Sequence, residues 1–423
     1  MTVAAFGARA RRGLLASGIA ALGAVACLLG GAGEVVRAAE IGPGADLCAA
    51  INTLQPGEEL ILQPGDYRGP CVIRSGGTSG VPVVIRGADP ERRPRILYPG
   101  SSANVFEIRA SSVRILGLEF GPTDEDVDAI RIFSGNDIAV EECRFSQVSG
   151  IAVVANHASV HGLTVRRNVI LDSNATTMYF GCHDGASCVV SGLVVEGNYI
   201  RGVTAPDPQI GYGVEVKLNS TGIIRDNVIV DSKGPGIMVY GSRDPSRVSV
   251  IERNVVMGSR TSSGIVVGGG PAIVRNNVAV ANREAGIGLE NYRGRGLLRG
   301  VVVAHNTVYS NWRAGIEVPE LGVRDAILVN NAVHARIGTL ALPAWRAGLW
   351  LAGNVDCSWG SCFAGAAGLD FSPVVGSLLM GPGAMREEAW MPRDDLFGGR
   401  RGMPPTVGAV ERPSGPITLG LRP

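Results

Sequence analysis

Aliphatic and polar positions alternate along the middle of this chain in short runs, and the runs recur around a fixed asparagine. Three places before Asn168, Asn198, Asn227, Asn254, Asn277, Asn306 and Asn331 stand Val165, Val195, Ile224, Ile251, Val274, Val303 and Leu328. Two places after come Ile170, Ile200, Ile229, Val256, Ala279, Val308 and Val333. The residue just before each asparagine is polar or glycine: Arg167, Gly197, Asp226, Arg253, Asn276, His305 or Asn330. β-Branched residues alternating with polar ones describe strands with one buried face. A second short strand follows, usually opened by glycine, as in GIAVV from Gly150, YGVEVK from Tyr212, GIMVY from Gly236, GIVVG from Gly264, GIGLE from Gly286 and GIEVP from Gly315. No helical periodicity lies between them. The asparagines are spaced 30, 29, 27, 23, 29 and 25 residues apart, the range in which self-similarity means a solenoid. Each repeat therefore reads as one coil of a parallel β-helix, stacked on the last at about 4.8 Å.

An asparagine at the same turn of successive coils can bond its amide to the one above and below, which satisfies a polar group that is costly to bury. Cys143 and Leu118 hold the same position 25 residues apart in earlier, weaker copies, and VFEIR from Val105 and AIRIF from Ala129 extend the second strand backwards. From Val105 to Leu351 this gives roughly ten coils, an all-β rod on the order of 50 Å long. A solenoid grows by addition, so the length of 423 residues reads as one domain.

Composition adds the compartment. Apolar residues are 45% and charged residues 18% of the chain, which excludes disorder. A formal charge of +1 argues against nucleic acid as a partner. Arg9, Arg11 and Arg12 precede an apolar run from Gly13 to about Gly33 and a small-residue site ending at Ala38. Residues 1–38 are thus expected to be an export signal of Sec or twin-arginine type, which makes the mature protein secreted or periplasmic with no membrane contact. Export permits disulfides, and the expected pairs close short segments: Cys48–Cys71, Cys182–Cys188 and Cys357–Cys362. Cys143 is left as an inward, slowly reacting thiol. No C-x-x-C pair points to structural zinc.

Three stretches resemble secreted right-handed parallel β-helix proteins of the pectin-lyase-like superfamily. LQPGEELILQPGDYRGP (Leu54 to Pro70) resembles their entry segment, and the asparagine-centred coils resemble their repeats. DDLFGGRRGMPPTVGAVE (Asp394 to Glu411) is similar to their terminal D-x-x-G-x-x-R … G-A-x-E signature. The resemblance implies a single-stranded right-handed parallel β-helix, with an N-terminal cap and first coil over 39–100, coils over 101–355 and an irregular C-terminal cap over 356–423. Its members are mostly polysaccharide lyases, glycoside hydrolases and uronate epimerases, beside non-catalytic adhesins, and one fold hosts many functions. The clustered set of an Asp pair with HG and R-I-K motifs found in polygalacturonase-type hydrolases does not occur: R-I-K is absent, and His161-Gly162 and Asp394-Asp395 stand far apart in the chain. The nearest local likeness is to chondroitinase-B-like and alginate lyases, which place Glu and Lys on one strand and Arg on the next coil. YGVEVKLN supplies Glu215 and Lys217, two apart instead of about four, and Tyr240 fills the slot for Arg.

In the glycine-led strands, Ile130, Ile151, Met178, Val214, Ile237, Ile265, Ile287 and Ile316 are taken as inward. Arg131, Tyr179, Glu215, Lys217, Met238, Tyr240, Glu290 and Glu317 then point outward. Neighbouring loops add His183, Asp184, Tyr212, Arg243, Asn291, Tyr292 and Arg293. Aromatic, cationic and carboxylate side chains in a row suit an acidic polysaccharide. Lys217, Tyr240 and His183 are the expected catalytic group, with Lys217 as base or as the cation on the substrate carboxylate. Glu215, Tyr212, Tyr179, Arg243, Glu290, Tyr292, Arg293 and Glu317 are the expected substrate contacts. Lys217 points outward, so Lys217→Ala is expected to abolish activity while leaving the fold intact. No cofactor is expected; Ca²⁺ is a candidate at the acidic turn Asp124, Glu125, Asp126 and Asp128, for which a solvated acidic loop is the preferred account. The reading is a monomeric polysaccharide lyase acting by β-elimination, or a related uronate epimerase. The alternative is a non-catalytic carbohydrate-binding β-helix.

Overall fold

Each coil follows from its sequence: two aliphatic residues point inward on a strand, the chain turns at a polar corner, and the next strand repeats the pattern. A computed structural model describes residues 37–207, 209–290, 298–358, 361–381, 383–384 and 388–421. The expected export signal up to residue 36, and Asn291, Tyr292 and Arg293, lie outside the described residues. Among those described, all strands but two small pairs form three parallel sheets of 13, 12 and 11 strands, here sheets A, B and C, visited in that order once per coil. The fold is a right-handed parallel β-helix of about twelve coils.

The register follows the repeat frame. Val165, Val195, Ile224, Ile251, Val274, Val303 and Leu328 are successive partners in sheet A. Ile170, Ile200, Ile229, Val256, Ala279, Val308 and Val333 are successive partners in sheet B. All are buried in the solenoid core. At the corner between these sheets each asparagine donates its Nδ2 to the Oδ1 of the next, from Asn168 to Asn331, at 2.9 to 3.0 Å. Asn354 adds a further rung, accepting from Asn331 Nδ2 at 2.8 Å. Cys143 takes the ladder position before them; its N–H donates to Asn168 Oδ1, and burial pushes its thiol up to about 12.

The stack begins at Ala38–Ile41, which pairs with Glu59–Leu62. This is earlier than Val105, where the repeat first becomes readable, and it accounts for the extra coils. A seven-residue helix, Leu47–Thr53, capped by the Asp46 side chain, buries Leu47 and Ile51 in the core. The three disulfides are Cys48–Cys71, Cys182–Cys188 and Cys357–Cys362, and Cys143 is free and buried. One inward assignment is corrected: Ile130 pairs with Val153, not with Ile151.

The segment after residue 356 folds back along the outer face of sheet B. Phe371, Leu396, Ala409, Val410 and Ile417 pack on Val228, Val255, Val278 and Val280. The terminal signature is its anchor. Arg401 reaches through to Asn276 Oδ1 at 2.6 Å and pairs with the buried Glu411 at 2.9 Å.

Candidate functional site

Glycine-led strands build sheet C, and their alternate side chains leave its outer face. Strand Val214–Val216 pairs with Met178–Phe180 on one side and Ile237–Val239 on the other. Tyr179, Glu215 and Met238 therefore form one column; Gly181, Lys217 and Tyr240 form the column two residues on. Gly181 has φ +94°, and a side chain there would strike Ser220 Oγ, so the turn brings the Cys182–Cys188 loop close against Lys217.

Glu215 and Lys217 form a buried salt bridge. Glu215 and Lys217 are each 3% exposed although both leave the outer face of the sheet. Tyr212, Leu218, Met238, Tyr240 and Val266 form an apolar cluster outside the solenoid core. The Cys182–Cys188 loop is fastened beside it: Asn219 Nδ2 donates to the Gly185 carbonyl at 2.6 Å. Within this setting Lys217 Nζ donates to Glu215 Oε1 at 2.8 Å. The ammonium lies 4.2 Å from the Tyr240 ring centroid and 5.1 Å from that of Tyr179, cation–π distances both. Tyr240 Oη donates to the same Glu215 oxygen at 3.2 Å, and Tyr212 Oη stands 3.5 Å from Tyr240 Oη. Burial pushes the Glu215 carboxyl above its ordinary range, with Lys217 and Tyr240 opposing that shift. Burial likewise raises the half-buried Tyr179, helped by the nearby charge of Glu215. The result is a line Tyr212–Tyr240–Glu215–Lys217 along which a proton can pass, ending in a cation.

The other expected residues are placed differently. His183 is exposed in the disulfide loop, two residues from Gly181. Arg243 is exposed, and its backbone N–H donates to Asn219 Oδ1 at 2.9 Å. Glu290 shares the Lys217–Tyr240 column but lies two coils beyond Tyr240, about 10 Å away at the strand spacing. Glu317 pairs with Gly288 and lies four coils beyond Glu215. These two glutamates belong to another group with Glu284 and Arg313. There burial, then the charges of Glu284 and Glu317, raise the Glu290 carboxyl. At the acidic turn, Asp128 is bound to Arg131 and to the Ile151 N–H, and among the described residues no group of three or more His, Cys, Asp or Glu is arranged to hold a metal.

Sequence reading missed Leu218 as a buried member of this cluster, since it shows only as an apolar residue following YGVEVK. It also passed over a column of cations and one tryptophan at the corner between sheets B and C. The column falls just outside the glycine-led strands in which candidates were sought.

Residues 128–296 match the family model described as a right handed beta helix region. Comparison with curated protein sequences finds no match. Among solved structures, the chain is similar to pectate lyase Pel9A, at 14% identity and a TM-score of 0.50, over 89% of this chain and 96% of that one. It is also similar to the GH136 lacto-N-biosidase from Eubacterium ramulus, at 10% identity and a TM-score of 0.53, over 76% and 68%. A PL6 family polysaccharide lyase from Pseudopedobacter saltans aligns at 14% identity and a TM-score of 0.45, over 78% and 94%. At these identities the likeness speaks for the fold.

Proposed function

We propose that this is an exported carbohydrate-active β-helix protein whose Glu215–Lys217–Tyr240 centre acts on a uronate-containing polysaccharide, by β-elimination or by the related epimerisation at carbon five. The observation that carries the reading is the buried ion pair with its tyrosine hydroxyl, on a face that needs no charge to close the solenoid. Burying two charges costs several kcal/mol, roughly, that an apolar pair would not, and polar groups held against such a cost are candidates for chemistry. That structural neighbours of this fold include a pectate lyase and a lacto-N-biosidase supports the carbohydrate class.

Elimination needs a base on the C5–H, a cation for the carboxylate as charge develops on it, and an acid for the leaving oxygen. Lys217 already donates to a carboxylate and lies over two rings, so its contacts suit the cation's role. Tyr240 suits the relay: its oxygen takes the C5 proton as its own proton passes to Glu215, whose raised affinity for a proton favours that transfer. The C4–O bond then breaks, C4=C5 forms, and the leaving oxygen takes a proton from His183 or water. In epimerisation no bond to oxygen breaks and carbon five is reprotonated from the other face. Substrate entry requires the apolar cluster of Tyr212, Leu218, Met238 and Val266 to part.

Burial favours a second reading, in which the network only fastens loops to sheet C and the protein binds glycans without turnover. Tyr240→Phe separates the two, because it keeps the ring beneath Lys217 and removes only the hydroxyl. The wild type should generate ultraviolet-absorbing unsaturated product from alginate, pectate, a glycosaminoglycan or a bacterial exopolysaccharide. Tyr240→Phe should lose about 10²-fold or more of that rate with an unchanged melting temperature. Binding without product across all of them would establish the second reading.

A further inference from the structure

The corner between sheets B and C carries a second polar ladder. Asn282 Nδ2 donates to Asn311 Oδ1 at 2.8 Å, and Ser259 N–H to Asn282 Oδ1 at 3.0 Å, all three residues being buried. Ser232 and Ala335 hold the same corner position on the flanking coils, and the residue after each of the five stands outside the ladder: Lys233, Arg260, Arg283, Trp312 and Arg336. Each is fixed by its N–H to the carbonyl of the coil before, at 2.8 to 3.0 Å. Trp312 is 46% exposed. The Arg283 and Arg336 guanidinium carbons lie 5.1 and 5.3 Å from its ring centroid. These side chains, with Arg260 and Ser310, line a groove of about 380 Å³.

The charges here are unbalanced in a particular way. Lys233 is paired with Asp207, Arg260 with Asp231, and Arg313 with Glu284 and Glu317. Among the described residues Arg283 and Arg336 have no carboxylate partner; their contact is the indole. Among the described residues, then, two guanidiniums lack a counter-charge, two coils or about 10 Å apart, each on a residue whose backbone N–H is bonded to the coil before. Guanidinium forks suit carboxylate and sulfate oxygens, and the exposed part of the indole offers apolar surface to a pyranose ring between them. Nucleic acid is disfavoured, because so few cations would release too few counterions to hold it.

We propose that Arg283, Trp312 and Arg336 form a binding subsite for an anionic polysaccharide, on the opposite edge of sheet C from Lys217 and four coils further along. It rests on the carbohydrate reading above but not on the Lys217 centre. The test is gel retardation of the full chain by polygalacturonate (carboxylated), dextran sulfate (sulfated) and neutral dextran, with single-stranded DNA as competitor. Retardation by either anionic polymer and not by dextran is expected, weakening with salt; comparing the two polymers tells which acid group is preferred. Trp312→Ala should weaken it roughly tenfold or more, as loss of a central aromatic anchor does, and Trp312→Phe should restore part of it. Arg283→Gln with Arg336→Gln should weaken binding and flatten the salt dependence. Equal retention of wild type and Trp312→Ala, no retention of the wild type, or displacement by DNA at equal charge would each overturn the subsite. Trp312-dependent binding by a protein that forms no unsaturated product would leave the subsite standing while the lyase reading falls.

Discussion

At the residue scale, the corner asparagine and the residue before it do separate work. Asn254 is fully buried; its Nδ2 donates to the Ile224 carbonyl at 2.8 Å and to Asn277 Oδ1 at 3.0 Å. Its Oδ1 accepts from the Asn227 backbone and side chain. Arg253, one place earlier, holds Asp226 through two bonds of 2.8 Å in a half-exposed setting. Asn254→Leu should therefore cost more than Arg253→Ala, by about 1–3 kcal/mol for polar groups left unpaired on the flanking coils. Urea titration of the two variants checks the order, and a costlier Arg253→Ala would contradict it. The preceding residues also explain the polar-or-glycine rule seen in the sequence. Arg167, Asp226, Arg253, Asn276, His305 and Asn330 all have φ between +53° and +59°, a left-handed turn that β-branched residues avoid. The ladder was legible because this turn and the buried amide leave few choices of residue. Asn354, the last rung, was missed because its flanking strands, Leu349–Ala352 and Val355–Asp356, are only partly buried and their pattern is weak.

At the element scale, alternation told which side chains leave sheet C but not what lies over them. Period-two reasoning assigns a face; burial of that face depends on loops whose path no local pattern gives. Hence Lys217 was placed correctly and its surroundings were not. The same limit hid the covered outer face of sheet B, although Val228, Val255 and Val278 sit in unbroken apolar runs of the kind a sheet buried on both faces shows. The correction changes an expected outcome. Lys217→Ala should not leave the fold untouched, since it strands the Glu215 carboxylate in an apolar cluster, and removing one partner of a buried pair costs about 3–5 kcal/mol. Replacing both, Glu215→Leu with Lys217→Met, should restore most of that loss. Thermal melts of the single and double variants would show it, and equal loss in both would mean that packing, not charge, dominates there. A dead Lys217→Ala enzyme is therefore weak evidence of catalysis, and Tyr240→Phe is the cleaner probe.

At the scale of the whole molecule, the returning C-terminal segment makes sheet B an interior sheet, and His305 lies where it docks. The histidine is fully buried on the corner before Asn306; its Nε2 accepts from Asn330 Nδ2 at 3.0 Å, and Asn330 also bonds Ala384 of the returning segment. Burial, and then the nearby Arg401 guanidinium, hold its pKa well below the ordinary value of 6.5. A protonated ring would present an N–H to an amide that is itself a donor, beside a cation. Between the ordinary and the depressed value the unfolded chain binds a proton that the folded chain refuses, so stability falls as pH falls below about 6.5. Glu215 works the other way: its raised carboxyl keeps its proton longer when folded, so its contribution falls as pH rises above the ordinary glutamate value. Only a difference measurement separates the two. His305→Asn keeps a residue tolerant of the left-handed turn and removes the titration. The wild type should lose up to about 1.4 kcal/mol per pH unit relative to that variant on acidification below 6.5, read as diverging melting temperatures. Parallel curves would mean that His305 is not buried as a neutral ring, and that the segment carrying Arg401 docks more loosely than its hydrogen bonds imply.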